Sequence, residues 1–214
     1  MTELPTGLQD VIDYFSRLPG IGKKTASRLA FSLLQKTPEY QRKFGSVLSN
    51  LHDSLGYCSE CFHLCEAGEE KCEICMSSKR DNGIICVVES SLDVLAMEQS
   101  HSYFGKYFVL GGVLSPMDGV GPNDIRIQQL ENFVIKNIKN PENSENSPIT
   151  EVIFALSSTL EGESTSTYIW QKLENISEFS GKISRIARGI PSGSSLQYID
   201  ETTLSKAFEG RQLF

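Results

Sequence analysis

The stretch CSECFHLCEAGEEKCEIC, Cys58–Cys75, decides how the chain is read. Cys58 and Cys61 form one C-x-x-C, Cys72 and Cys75 another, and ten residues lie between the pairs. A C-x-x-C turn brings two thiolates toward one point, and two such turns supply the four sulfurs of a tetrahedral zinc site. The intervening Glu66, Gly68, Glu69, Glu70 and Lys71 suit an exposed loop, although the spacer is shorter than the roughly fifteen to twenty residues most common in such sites. Before this stretch the pattern is helical; after it, strands and helices alternate. The cysteines therefore mark the joint between two unlike halves.

Two other readings of the cysteines fit less well. Disulfides need an oxidising compartment. The N-terminus MTELPTGLQD has neither a basic n-region nor an apolar h-region, so the expectation is a cytoplasmic protein. A thioredoxin-like motif needs one C-x-x-C beside a βαβ unit, not two joined by a short polar loop. Within the knuckle, His63 and Cys65 are expected to be spectators rather than ligands. Cys86, in the apolar run IICVV, is expected to be a buried core thiol.

Composition sets the outer bounds. The chain has 214 residues, 39% hydrophobic and 22% charged, and no apolar run approaches the length of a membrane span. Its net charge of −7 is unevenly spread: residues 17–43 carry seven basic side chains and one acid, so that stretch is +6 and the rest −13. A basic N-terminal face and acidic surfaces elsewhere fit such asymmetry, as do two ordinary solvated surfaces.

Upstream of the cysteines, Leu8, Val11, Ile12, Phe15 and Leu18 recur at helical spacing. LPGIG follows at 18–22, and a second helix begins near Lys23 with Ala26, Leu29, Ala30, Leu33 and Leu34 on one face. This is a helix-hairpin-helix pattern. Gly20 and Gly22 let the backbone turn tightly and approach a phosphate, the open N–H groups of the second helix point at it, and Lys23, Lys24 and Arg28 surround it with charge. An ordinary turn between core helices is the bland alternative; two glycines beside a basic cluster favour sequence-independent, salt-sensitive DNA binding. A Walker A loop is excluded, because Arg17 stands at its first glycine and Lys24 at its Ser/Thr position. A third helix is expected over 38–55, burying Tyr40, Phe44, Val47, Leu48, Leu51 and Leu55 and ending at Gly56.

Downstream, strands are expected at Ile84–Val88, Tyr107–Leu110, Val152–Leu156 and Ile183–Ala187. Helices are expected after Ser90 or Ser91 (burying Leu92, Leu95 and Ala96), over about 124–138, and from about Ser164 to Leu173. The polar run at 137–148 reads mostly as an exposed loop. Such alternation predicts a mostly parallel sheet flanked by helices. Glu89 closes the first strand, and Glu161 and Glu163 follow the third. All three are expected at the carboxyl edge, where ligands of open parallel sheets gather. They either share a Mg²⁺ or are solvated acids near helix N-termini, and spacing leaves both open.

Taken together, LPGIGKKTASRLAF, the double C-x-x-C, ICVVES, YFVLGGVLSPMDGVGP, TLEGEST and ARGIPSGSSLQYIDETTLSKAFEGR resemble the RecR family of bacterial recombination mediators over essentially the whole chain. The resemblance implies an α/β multidomain chain: a helix-hairpin-helix DNA-binding domain (1–56), a four-cysteine zinc finger (57–76), a Toprim-type parallel α/β domain (83–187) and a C-terminal oligomerisation segment (188–214) with a Walker-B-like run, LQYID. It implies that Lys24 and Arg28 contact DNA, that Cys58, Cys61, Cys72 and Cys75 ligate structural zinc, and that Glu89, Glu161 and Glu163 stand at the Toprim acidic positions. It further implies a homo-oligomeric ring, a tetramer, that encircles DNA and works with RecO and RecF to load RecA on gapped or single-stranded DNA. Cys65 departs from the pattern as an extra cysteine. The alternative is a Mg²⁺-dependent Toprim enzyme acting on phosphodiesters. Glu stands where such enzymes usually have Asp in the second motif, no domain offers a catalytic tyrosine, and LQYID has no accompanying Walker A, so no catalytic residue is expected.

Overall fold

A computed structural model describes residues 4–139 and 148–211. The chain divides into two compact units, Met1–Leu55 and Gly56–Phe214. The first holds three helices: α1 (Thr6–Ser16), α2 (Lys23–Leu34) and α3 (Pro38–Ser49). Ile12 of α1 meets Ala26 and Ala30 of α2, with Leu8, Phe15 and Ile21 packed around them. Alanines at this contact let the two helix backbones approach closely. Thr37 caps α3 by accepting the Tyr40 amide at 3.3 Å, with Pro38 in the first turn, where a missing N–H costs nothing.

The third helix departs from expectation in two ways. It stops at Ser49, and turns lead to Gly56, which lies in a strand rather than ending the helix. Its apolar stripe is also not buried: Tyr40, Val47, Leu48 and Leu51 are each half or more exposed, and no residue of α3 is buried. The small α1–α2 core is complete without it. The stripe instead borders an apolar groove of ≈ 440 Å³ lined by Leu8, Val11, Phe15, Leu33, Phe44 and Leu48, among others.

The second unit begins with the cysteine knuckle, built on β1 (Leu55–Tyr57), β2 (Leu64–Glu66) and the short α4 (Glu73–Met76). Then come β3 (Asp81–Val88), α5 (Ser91–Ser100), β4 (Gly105–Val109), α6 (Ile127–Lys139), β5 (Glu151–Ala155), α7 (Leu160–Glu174), β6 (Lys182–Arg185) and α8 (Glu201–Glu209). The sheet runs β4-β3-β5-β6 and is parallel throughout, with Val88 opposite Val109 on one side and Ala155 on the other. Ile85 and Val87 face one core with Phe108, Leu130, Val134 and Ile169; Cys86 and Val88 face another with Val94, Tyr107 and Val109. Burial on both faces is why these strands read as continuous apolar runs rather than alternating ones.

Several expected boundaries and faces move. In α5 the buried side is opposite to the one expected: Val94 is fully buried, Leu92 is 75% exposed, and Leu95 and Ala96 are exposed as well. A capping box between Ser90 and Asp93 fixes where this helix starts, and that phase turns Val94 and Met97 toward the sheet. The helix α6 begins at Ile127 rather than near 124. The next helix, α7, begins at Leu160 rather than Ser164, because Thr159 caps it by accepting the Gly162 amide at 3.1 Å. Glu161 and Glu163 therefore lie in its first turn, not in a preceding loop. Of the polar run at 137–148, residues 137–139 complete α6, and 140–147 lie outside the described residues.

Candidate metal centre, anion-binding turn and carboxylate cleft

In the first unit, a tight turn precedes α2, and Gly20 but not Gly22 is required by it. The Ile21 amide donates to the Leu18 carbonyl at 3.1 Å, and Gly20 sits at φ +78°, a conformation costly for any side chain. Gly22 is different. Its φ of −77° suits any residue, and a Cβ there would meet nothing within 4 Å, so neither backbone nor packing requires glycine. What its bareness preserves is access to the first amides of α2, which have no acceptor within the helix and no capping side chain. No acid stands in that first turn; Lys23 and Lys24 do, against the preference of a helix dipole for negative charge. Together with Arg28 they are exposed, and none belongs to an ion pair among the described residues. Two cations at a positive helix end form a site suited to an anion.

In the knuckle, Cys58, Cys61, Cys72 and Cys75 are all buried, with their sulfurs within 4.8 Å of one another and Cys61 Sγ 3.5 Å from Cys72 Sγ. A tetrahedral zinc site with bonds of about 2.3 Å places its sulfurs about 3.8 Å apart, so the donor set fits that ion. The cysteines form no disulfides. Hydrogen bonding from Cys61 holds the Cys58 thiol far below its usual range, while Cys58 drives Cys61 and Cys75 upward. Four adjacent sulfurs cannot all be anionic unless a cation stands among them. Phe62, at φ +60°, folds the chain back so that the His63 amide points at Cys61 Sγ, 3.4 Å away. Cys65 and His63 fall outside the four-sulfur group; Cys65 Sγ lies 3.5 Å from the Glu69 carbonyl. Cys86 is fully buried in the sheet, and burial pushes its thiol up to about 12.

The knuckle is fastened to the sheet. The Val109 amide donates to the Cys61 carbonyl at 2.8 Å, the Leu64 amide to Ser91 Oγ at 3.3 Å, and Phe62 packs edge-on against Phe108. Its residues Tyr57 and Leu64 form one wall of a ≈ 530 Å³ cleft beyond the carboxyl ends of β3 and β4, and Glu89 lies in that cleft.

The three glutamates do not converge. Glu89 Oε1 accepts the Ser157 amide. Glu163 pairs with Arg185, at 3.1 Å, and with Arg188, while Glu161 is exposed. Among the described residues, the four cysteines are the one set of three or more candidate ligands close enough to hold a metal ion together. Asp200, at the end of LQYID, caps α8 by accepting the Thr203 amide at 2.9 Å; this bond lowers the pKa of its carboxyl.

Sequence reasoning missed Arg126. Its guanidinium lies over the rings of Tyr57 and Phe62, with centroids at 5.2 and 5.0 Å, and also lines the cleft. Gly111, at φ +87°, makes room for it: a Cβ there would lie 2.4 Å from Arg126 Nη1. Two signals were present in the sequence. A Gly-Gly pair follows directly on a strand, and Arg126 is the lone Lys or Arg between Lys106 and Lys136.

A helix-hairpin-helix unit, a parallel sheet with an acidic carboxyl edge and a four-cysteine knuckle together define a nucleic-acid-handling protein of the Toprim class. Comparison with known proteins agrees. Residues 8–52 match the family "RecR, helix-hairpin-helix", residues 83–187 "Toprim domain" and residues 189–212 "RecR, C-terminal". The chain is 45% identical over 202 residues to the recombination protein RecR of Synechococcus sp. (strain CC9605), covering 94% of this chain and 97% of the relative. It is 44% identical over 204 residues to that of Chlorobium phaeobacteroides (strain DSM 266 / SMG 266 / 2430), covering 95% of each, and 42% identical over 206 residues to that of Cyanothece sp. (strain PCC 7425 / ATCC 29141), covering 96% of this chain and 95% of the relative. The chain belongs to the RecR family of recombination proteins, which gives it a role in recombinational DNA repair.

Proposed function

We propose that the protein is a non-catalytic, sequence-independent DNA-binding mediator that acts as an oligomeric clamp, a tetrameric ring, and cooperates with RecO and RecF to load RecA on gapped or single-stranded DNA. The observation that carries this reading is the N-terminus of α2, bare of side-chain caps and flanked by Lys23, Lys24 and Arg28. A phosphate there accepts from the helix amides and offsets the lysines' unfavourable place at the dipole's positive end. Oligomerisation is supported by α3, whose apolar stripe finds no cover within its own unit. A second copy of this chain would supply that cover.

The metal in the knuckle is zinc, one per chain, in a structural role, because four thiolates leave no open position for a substrate. The carboxylate cleft serves partner docking, with Mg²⁺ as a weak ligand at most. Arg185 and Arg188 already neutralise Glu163, one of the acids a Toprim enzyme would need for its metal. We assign the chain four segments: 1–56, 57–76, 83–187 and 188–214.

Anisotropy of a labelled gapped duplex, titrated with protein at several salt concentrations, tests the reading. Lys24→Ala with Arg28→Ala is expected to weaken binding and to reduce the slope of log K against log salt by about 2, with the fold intact. Unchanged affinity would remove the hairpin from the interface. Cleavage or relaxation of DNA with Mg²⁺, abolished by Glu89→Gln, would overturn the non-catalytic assignment.

A further inference from the structure

We infer that Arg126 is the anchor of a carboxylate-recognising subsite in the cleft, and that the segment it captures is a polypeptide carrying an acidic side chain next to a basic one. Arg126 is half-buried, and among the described residues no acid pairs with it. Its contacts are the Tyr57 and Phe62 rings, which take up the face of the guanidinium and leave its N–H edge for hydrogen bonding. A planar edge of this kind matches the two oxygens of a carboxylate. The bare backbone of Gly111 is what leaves it space.

The acids that share the cleft are already committed elsewhere. Glu89 Oε1 takes the Ser157 amide, Asp93 Oδ2 takes the Ser90 amide and hydroxyl at 2.7 and 2.9 Å, and Asp124 Oδ2 takes the Gly121 amide at 2.7 Å. Each thus has one oxygen engaged by a backbone amide, and none of the three pairs with Arg126. The cleft thus presents one cation beside three fixed anions. A phosphate backbone, anionic at every residue, would be repelled by the three acids. A peptide with a carboxylate and a neighbouring ammonium meets both signs, and Tyr57 and Leu64 supply the apolar wall for its stems.

This inference rests on the docking reading of the cleft, and the two can fail separately. The full-length, zinc-loaded protein, labelled with ¹⁵N, would be titrated with N-acetyl-glutamyl-lysine amide, with inorganic phosphate and with a short oligothymidylate. The Arg126 Nε resonance is identified by its absence in Arg126→Lys. A saturable shift of that resonance by the dipeptide is expected, with neither phosphate nor oligonucleotide matching it at equal concentration. In Arg126→Lys, whose Gly111 and Gly112 amide resonances report whether the cleft is intact, the dipeptide should bind roughly tenfold more weakly or worse. No response to the dipeptide, a stronger response to phosphate or oligonucleotide, or undiminished binding by Arg126→Lys would each overturn the subsite. A silent dipeptide or undiminished binding by Arg126→Lys leaves the docking reading standing, whereas a stronger response to the oligonucleotide, or DNA cleavage in the cleft, would overturn that reading too.

Discussion

Glu98 ties one corner of the second unit together. Arg80 donates to both of its oxygens, once at 2.9 Å, and Tyr107 donates to Oε1 at 2.7 Å. Arg80 also reaches the Tyr103 and Gly105 carbonyls at 3.2 and 3.4 Å, so the network joins the loop before β3 to α5 and β4. The Arg80 guanidinium holds the Glu98 carboxyl below its usual value. A carboxyl depressed by folding stabilises the fold above its unfolded pKa and loses that contribution as pH falls through its folded one. Stability followed by urea unfolding should therefore drop with acid below about pH 4. Glu98→Gln should be less stable at neutral pH and lose less on acidification. An unchanged pH slope in that variant would show that the network contributes nothing measurable.

At the scale of elements, the start of α7 bears on the cleft. Gly162 is buried in the first turn of the helix, and a Cβ there would lie 2.2 Å from the Ser157 carbonyl oxygen. Backbone cannot give way as a flexible side chain can. Gly162→Ala should cost on the order of 1–3 kcal/mol, read from the denaturant midpoint. It should also disturb Glu89, which holds the Ser157 amide. Elements were also where the sequence was most and least legible. The cysteine spacing located the four-cysteine cluster, and the double-sided burial of β3 and β4 made the sheet plain as apolar runs. The three glutamates were placed near the carboxyl edge, but their separation was not readable, because Arg185 at the end of β6 and Arg188 just beyond it reach Glu163 from far along the chain. The face of α5 was misassigned because Leu92, Leu95 and Ala96 have helical spacing as good as that of Val94 and Met97. Only the capping geometry breaks the tie. For α3 the stripe was real, but a stripe does not say whether its cover comes from the same chain.

At the scale of the whole molecule, two measurements bear on the architecture. Leu48 is 54% exposed at the rim of the apolar groove in the first unit. If a second copy covers it, Leu48→Asp should lower the mass seen by light scattering without unfolding the monomer, since the Ile12–Ala26–Ala30 core does not involve it. An unchanged mass would place the subunit contact elsewhere. Chelation tests the knuckle. Structural zinc in thiolate sites is worth roughly 10 kcal/mol or more in apparent binding free energy. Because the knuckle is bonded to Val109 and Ser91, metal removal should lower the melting temperature of the sheet and not only fray a loop. Full thermal stability in a chain proven metal-free by mass spectrometry would contradict this.

The bond from Val109 to Cys61 has a consequence beyond stability. The order β4-β3-β5-β6 leaves β4 as an outer strand, yet all five of its residues are buried, and the knuckle lies alongside its end. Outer strands that lose their cover recruit other chains by adding strands. A demetallated protein should therefore become adhesive before it becomes unfolded, clumping through a bared rim while its spectroscopic secondary structure persists. The sulfur-bound ion would then act as a guard against self-association as well as a staple.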